Sequence, residues 1–515
     1  MHLMMLMALP LLIATLFEPQ KPSVLHTDNF EHYSRDFNLH DREVVKTTIS
    51  NESASEWMQK QIPLFECPDK EIEQTYYFRW WTYRKHLRQT PDGWVITEFL
   101  PDVPWAGKYN TISCAASHHI MEGRWLAETQ YLNDYSVFWF RKGGDPHRYS
   151  FWAADAIWQR SLVTGNLKQA FDLLPDLVKN FETWQQRRQD PNGLFWQNDD
   201  EDGMEVSIGG SGYRATINSY MFAEATAIAK IAQARGDAAI SNRFKQLASE
   251  IKERLQKQLW DNSSEFFKVL PKGEGAKLAE VRELHGYTPW YFDLPDEKYS
   301  VAWKQLMLPE GFNAPFGLTT AERRSPRFMF AFSHECLWNG PVWPYATSIT
   351  LTAMANLLND YHQTYVTSAD YLAQLHTYAT SHKLKQPDGT TVPWIDEDMD
   401  PLTGDWTART ILEKQGTHDR GKDYNHSTFC DLVISGLVGI RPQPGNRIVI
   451  SPLVPADKWD YFCLDRVPYH GHILTVLYDK TGARYGKGKG LHVLSDGKEI
   501  AHSATIARIE ATVER

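Results

Sequence analysis

Asn218-Ser219-Tyr220-Met221-Phe222-Ala223-Glu224-Ala225-Thr226-Ala227-Ile228-Ala229-Lys230-Ile231-Ala232-Gln233-Ala234, closed by Arg235-Gly236-Asp237 and followed by Ile240, Phe244, Leu247, Ala248, Ile251, Leu255 and Leu259, is the stretch that decides the fold. Its first half is alanine-rich, with neither proline nor glycine inside, and favours helix over 218–234. Gly236 suits the left-handed residue that ends a helix. Asp237 can cap the next helix with its carboxylate. There the apolar residues recur three, four and seven apart, which makes one face apolar and leaves the other charged. The stretch is a helical hairpin with a two-residue joint.

Other segments repeat this pattern. Asp69-Lys70-Glu71-Ile72-Glu73 puts acids in the first turn of a helix that runs on through Tyr76, Tyr77, Trp80, Trp81 and Arg84. Helices are expected near 115–126 and 150–163. Another is expected around Leu177, Val178, Phe181 and Trp184, with Pro175 in its first turn. Three more follow near 345–358, 369–381 and 427–438. Short joints alternate with long loops rich in Trp, Gly, Pro and acids. Such pairing over 69–440 predicts a closed ring of helical hairpins with its functional loops gathered at one end.

The flanks differ in character. Residues 1–17 are apolar without Lys or Arg, too short for a confident membrane span. Residues 1–22 are therefore a possible export signal, although the positive start and a clear cleavage site are missing. Secretion or a periplasmic location is the expectation, with the cytoplasm as the alternative. Residues 23–68 show no sustained period and read as an extended leader packed on the main domain. After Ile440 the pattern alternates as in strands, at 447–453 and 473–478. The segments 491–494 and 498–500 flank Ser495-Asp496-Gly497, a hairpin signal. Residues 441–515 are expected to form a small antiparallel β domain.

The chain has 515 residues and a net charge of −10, which argues against nucleic-acid binding. Its aromatic content is high, with 19 Trp, 23 Tyr and 24 Phe. Many of the tryptophans sit beside acids or glycines in loops, where they can stack on sugars or simply pack a large core. Trp105, Trp152, Trp338 and Trp343 are the stacking candidates. The 5 Cys are scattered without metal spacing. No nucleotide loop or zinc pattern is present. No cofactor and no metal are expected, although a calcium ion in an acidic loop is the alternative reading there.

Two acidic loops carry the candidate chemistry. Asp199-Asp200-Glu201-Asp202-Gly203-Met204-Glu205-Val206-Ser207 crowds carboxylates that repel, so at least one should bind its proton tightly. A carboxyl protonated near neutral pH is what a general acid needs. The second loop is Val392-Pro393-Trp394-Ile395-Asp396-Glu397-Asp398-Met399-Asp400-Pro401-Leu402-Thr403-Gly404-Asp405-Trp406. Either loop is equally readable as a solvated turn. Asp423, in Lys422-Asp423-Tyr424-Asn425-His426-Ser427, rivals Glu397 as the second acid. Asp155 and Arg214 are candidates for binding hydroxyls, and Arg214 is equally readable as a structural ion pair. Glu335 is a weaker candidate for the pocket wall.

In these segments the chain resembles the inverting α-glycosidases of glycoside hydrolase families 37 and 63, the trehalase and mannosylglycerate hydrolase type. Asp202-Gly203-Met204-Glu205-Val206-Ser207 is similar to the loop of the family acid, with Glu in place of Asp. Trp338-Asn339-Gly340-Pro341-Val342-Trp343-Pro344 is similar to the family's Trp-Arg-Gly-Pro-Val-Trp-Pro. Glu397-Asp398-Met399-Asp400-Pro401-Leu402-Thr403-Gly404 is similar to the loop of the family base, with Met399 replacing an aromatic. The resemblance implies an (α/α)6 barrel with a C-terminal antiparallel β domain, and hydrolysis of an α-linked glycoside with inversion. Glu205 would be the general acid, with Asp202 as the neighbour that raises its pKa, and Glu397 the general base. Such a pair stands ~6.5–9.5 Å apart to admit a water. An (α/α)6 polysaccharide lyase using Tyr424, His426 and Arg420, and a non-catalytic carbohydrate-binding protein, are the alternatives.

Overall fold

The computed structural model describes residues 23–417 and 420–514. The protein is mainly helical, with an antiparallel β region at its C-terminal end. The helices are α1 (Glu31–Leu39), α2 (Ala54–Gln61), α3 (Lys70–His86), α4 (Ser113–Gly123), α5 (Gln130–Arg141), α6 (Ala153–Thr164), α7 (Lys168–Arg188), α8 (Ala215–Arg235), α9 (Ala238–Gln258), α10 (Thr288–Tyr291), α11 (Pro344–Asp360), α12 (Ser368–Ser381) and α13 (Thr407–Lys414).

The deciding hairpin is α8–α9. Gly236 closes α8 with φ 89°, and the Asp237 side chain accepts from the Ile240 N–H at 3.0 Å. The two helices differ in burial: α8 is buried almost all round, whereas α9 buries one stripe that includes Phe244, Ala248, Ile251 and Leu255. That contrast separates an inner helix from an outer one. The inner set continues through contacts of α4 with α6, α6 with α8, α8 with α10, and α10 with α11. Beyond α11 the chain reaches 429–437, whose backbone N–H groups at Phe429, Cys430 and Asp431 donate to the Glu122 carboxylate of α4 at 3.0, 2.8 and 2.7 Å. A buried Arg124–Asp431 ion pair at 2.7 Å reinforces this junction.

Several elements differ from the sequence expectation. The leader is not extended, since α1 and α2 lie within it. Its Asp41 binds Lys85 of α3 at 2.9 Å and also Lys422. Pro175 sits inside α7 rather than in its first turn. Proline there removes a hydrogen bond to the Phe171 carbonyl, which instead accepts from Arg235 at 3.4 Å. The expected helix at 427–438 is a wide π-type turn over Leu432–Leu437. The Tyr371 hydroxyl donates to the Leu432 carbonyl at 2.9 Å, taking the acceptor that an α-helix would use for Gly436. Helix α5 has no clear sequence signal.

In the β region we label β1 (Leu64–Glu66), β2 (Ile440–Pro442), β3 (Arg447–Ile450), β4 (Tyr461–Tyr469), β5 (His472–Asp479), β6 (Gly490–Ser495), β7 (Lys498–Ser503) and β8 (Ile509–Thr512). One sheet runs β1-β4-β5-β6-β7 and another β2-β3-β8. The β6–β7 turn is Asp496-Gly497, both at positive φ, as a tight hairpin requires. Strand β1 comes from the leader, so the leader and the tail share one sheet. The expected signal segment, residues 1–22, lies outside the described residues. Among the described residues no helix is long and apolar enough to cross a membrane, and all five cysteines are free.

Candidate active site

Backbone hydrogen bonds tie together three of the loop segments that wall one cavity. The acid loop meets the tryptophan segment where the Trp338 N–H donates to the Glu205 carbonyl at 3.0 Å. The tryptophan segment meets the second acid loop through a reciprocal pair, Val342 N–H to Met399 O at 2.9 Å and Met399 N–H to Val342 O at 3.0 Å. Trp343, just before α11, donates its indole N–H to the Leu337 carbonyl at 2.8 Å and stacks on Trp338 with ring centres 4.9 Å apart. Hence the residues around Glu205 and Glu397, far apart in sequence, face the same space.

That space is a cavity of about 500 Å³ beside the N-terminal ends of α4 and α11, lined by Glu205, Glu397, Trp105, Trp338, Trp343 and Tyr345 among others. Its size falls within the ~300–1,000 Å³ range of small-ligand pockets. Burial pushes the Glu205 carboxyl up to about 8, helped by the neighbouring Asp200 and Glu98 charges. Burial also raises Glu397, opposed by the Arg420 guanidinium and assisted by Asp396 and Asp398. The Cys336 thiol donates to Glu397 Oε2 at 3.4 Å, while Oε1 has no hydrogen-bond partner among the described residues. Arg420 pairs with Glu335 at 2.6 Å and lies over the Trp105 ring at 4.8 Å, which holds one aromatic wall.

The acids of the first loop divide their labour. Asp199 accepts from the Ser211 hydroxyl at 2.9 Å, and Glu201 pairs with Arg188. Asp202 is fully buried, paired with Arg214 Nε at 2.8 Å and bonded to Thr216. Arg214 also donates to the Ser207 hydroxyl at 3.2 Å and the Gly210 carbonyl at 2.5 Å. Asp202 and Arg214 thus pin the loop from behind and do not line the cavity. Asp200, not Asp202, is the loop acid that perturbs Glu205.

Three further expectations are corrected. Trp152 is a core residue, fully buried and packed against Tyr220 and His118 with ring centres 4.7 and 5.1 Å away. Asp155 opens into a different cavity. Asp423 is buried in an ion pair with Lys85 and is absent from the cavity wall, so it is not placed to act as the base.

One acid of the wall escapes the sequence reading. Glu98 is buried there, accepts from the Tyr424 hydroxyl and from Cys114 Sγ at 3.6 Å, and is pushed by burial up to about 7. The available signal is an acid ending an apolar β run, Gly93 to Phe99, where an ionisable group is costly unless it has work to do.

The cavity is walled by tryptophans, lined by carboxyls and built on paired helices with a β appendage. Residues 108–427 match the family model of the mannosylglycerate hydrolase MGH1-like glycoside hydrolase domain, and the chain belongs to that family. Residues 440–502 match the C-terminal domain of glycosyl hydrolase family 65. Among solved structures, a protein named sialidase is 43% identical with a TM-score of 0.89, over 95% of this chain and 45% of that one. This chain therefore spans less than half of that relative. The GH63 mannosylglycerate hydrolase of Thermus thermophilus in complex with glucose is 12% identical with a TM-score of 0.51, over 70% of this chain and 99% of that one. The Streptomyces avermitilis α-L-rhamnosidase complexed with L-rhamnose is 12% identical with a TM-score of 0.51, over 88% of this chain and 41% of that one. These last two likenesses concern the fold alone.

Proposed function

We propose that the protein hydrolyses a glycosidic bond with inversion, with Glu205 as general acid and Glu397 as general base. The observation that carries this reading is that both glutamates line one tryptophan-walled cavity. Glu205, held up to about 8, keeps its proton at neutral pH and can pass it to the glycosidic oxygen as the bond breaks. Glu397, once ionised beside Arg420, can take a proton from an attacking water through Oε1, which has no hydrogen-bond partner among the described residues. Burial opposes that ionised form and the Arg420 guanidinium favours it. Trp338, Trp343 and Trp105 offer faces for the sugar, and Glu98 offers an acceptor to its hydroxyls.

The contacts running from α4 through α6, α8, α10 and α11 to 429–437, and back to Glu122, support a closed (α/α)6 ring around this site. The α-configuration of the substrate is carried by the resemblance to the trehalase and mannosylglycerate hydrolase type. Export is proposed from the apolar residues 1–17, and the mature N-terminus of protein recovered from cell fractions tests it.

The lyase alternative has Tyr424, His426 and Arg420 in the same cavity. Yet burial and the Glu98 charge raise the Tyr424 phenol, and burial lowers the His426 imidazole, so the first resists losing a proton and the second resists taking one. The deciding experiment is a panel of α- and β-linked gluco-, manno-, galacto- and rhamno-glycosides with the wild type, Glu205→Gln and Glu397→Gln. Turnover that depends on both glutamates and yields no ultraviolet-absorbing unsaturated sugar supports the proposal. Turnover unaffected by both substitutions refutes it.

A further inference from the structure

A second cavity, of about 660 Å³, is lined by Asp155 and Leu162 of α6, Lys230 of α8 and Asn356 of α11, and shares no lining residue with the active-site cavity. Aromatic packing stands between the two spaces. Trp152 contacts Tyr291, which lines the second cavity, at 5.4 Å between ring centres. It also contacts His118, whose ring is 4.6 Å from that of Tyr345 in the active-site wall.

Acidic and basic side chains are equal in number in this second wall. Arg124 is paired with Asp431 at 2.7 Å and Arg441 with Asp360 at 3.0 Å. Asp155, Asp293, Lys230 and Arg508 also line the cavity and make no ion pair among the described residues. Asp155 is only 8% exposed, yet among the described residues its carboxylate accepts just one long hydrogen bond, 3.4 Å from Gln159. A carboxylate so placed is costly to bury unless something supplies it with donors. Trp158 and Phe222 add apolar faces to the same wall. Two open acids, two open cations and aromatic faces suit a neutral ligand that is dense in hydroxyls. Hydroxyls donate to the carboxylates and accept from the cations, while C–H faces lie on the rings. A divalent cation suits the site poorly, because no described group of His, Cys, Asp and Glu is set to hold one.

We propose that this cavity is a second saccharide-binding site, taking a neutral mono- or disaccharide and separate from the active site. The test uses the full-length enzyme with D-glucose, L-rhamnose and maltose as probes. Crystals soaked with each sugar should show one of them in this cavity, hydrogen-bonded to Asp155 or Asp293. Calorimetry should find a site whose affinity falls about tenfold or more in Asp155→Asn and persists in Glu205→Gln. The solvent-facing Lys230→Met serves as a second variant should Asp155→Asn fold poorly, and it should weaken the same site. Both variants should leave turnover in the active site essentially unchanged. Sugars that bind only in the active-site cavity, or binding here that is indifferent to both substitutions, would overturn the proposal. The outcome does not depend on which residues perform hydrolysis, since failure of the catalytic assignment would appear as unchanged turnover in Glu205→Gln instead.

Discussion

Replacing Asp200 by Asn removes the loop charge nearest the proposed acid and keeps its shape. Glu205 is raised from 4.5 to about 8, first by burial and then by Asp200, which both repels its anion and hydrogen-bonds to its acid form. Two carboxylates ~4 Å apart repel by ~4 kcal/mol at an effective dielectric near 20, equivalent to about three pH units at 1.36 kcal/mol each. Burial ranks above this repulsion, so the charge should account for about one to two units. The assay is the pH dependence of kcat/KM on a glycoside with a poor leaving group. In the wild type the alkaline limb should fall near 8, where Glu205 loses its proton. In Asp200→Asn that limb should move about one to two units toward acid, while the limb set by Glu397 ionisation stays in place. A limb that does not move, or that moves toward alkali, would refute the assignment of Glu205 as the acid perturbed by Asp200.

Other outcomes follow from the same contacts. Glu205→Gln and Glu397→Gln should each lower kcat about 10²–10⁴-fold, and a dinitrophenyl leaving group should partly rescue only the first, because it departs without protonation. Arg214→Ala strands the buried Asp202 charge and should cost about 3–5 kcal/mol in urea unfolding, whereas Arg214→Lys should recover part of it. Glu224 is buried on α8, accepts from the Ala154 N–H at 2.5 Å and is raised by burial to about 8. Between about 4.5 and 8 the unfolded chain has lost this proton while the folded chain keeps it, so Glu224 should make stability fall with rising pH by roughly 1.4 kcal/mol per unit. Unfolding of Glu224→Gln should lack that part of the slope. Trp338→Ala removes half of a stacked pair and should raise KM more than it lowers kcat.

The α8–α9 hairpin is legible because every local signal agrees: an alanine-rich run, a glycine stop, an aspartate cap and a 3.6-residue stripe. The β tail is legible for the same reason, through alternation and an Asp-Gly turn. Where a tertiary contact takes over, no local signal warns of it. Tyr371 diverts the Leu432 carbonyl, Arg235 donates to the carbonyl that Pro175 frees, and the Asp41–Lys85 contact fixes a leader that has no long period of its own. Trp338, Trp343 and the two glutamates can be picked out because they stand in motif frames. Asp202 and Arg214 mislead because a positioning ion pair and a substrate-binding pair use the same residue types, and only burial distinguishes them. Glu98 stays hidden because its neighbours, Cys114 and Tyr424, are brought to it only by the fold.

If Glu205 and Glu397 act from opposite sides of one glycosidic bond, with a water in between, the configuration at the anomeric carbon must flip. Proton NMR of the first sugar released, recorded before mutarotation, reads this directly. The expected product is the anomer opposite to that of the substrate, and release with the substrate's own anomeric configuration would contradict the paired-glutamate mechanism.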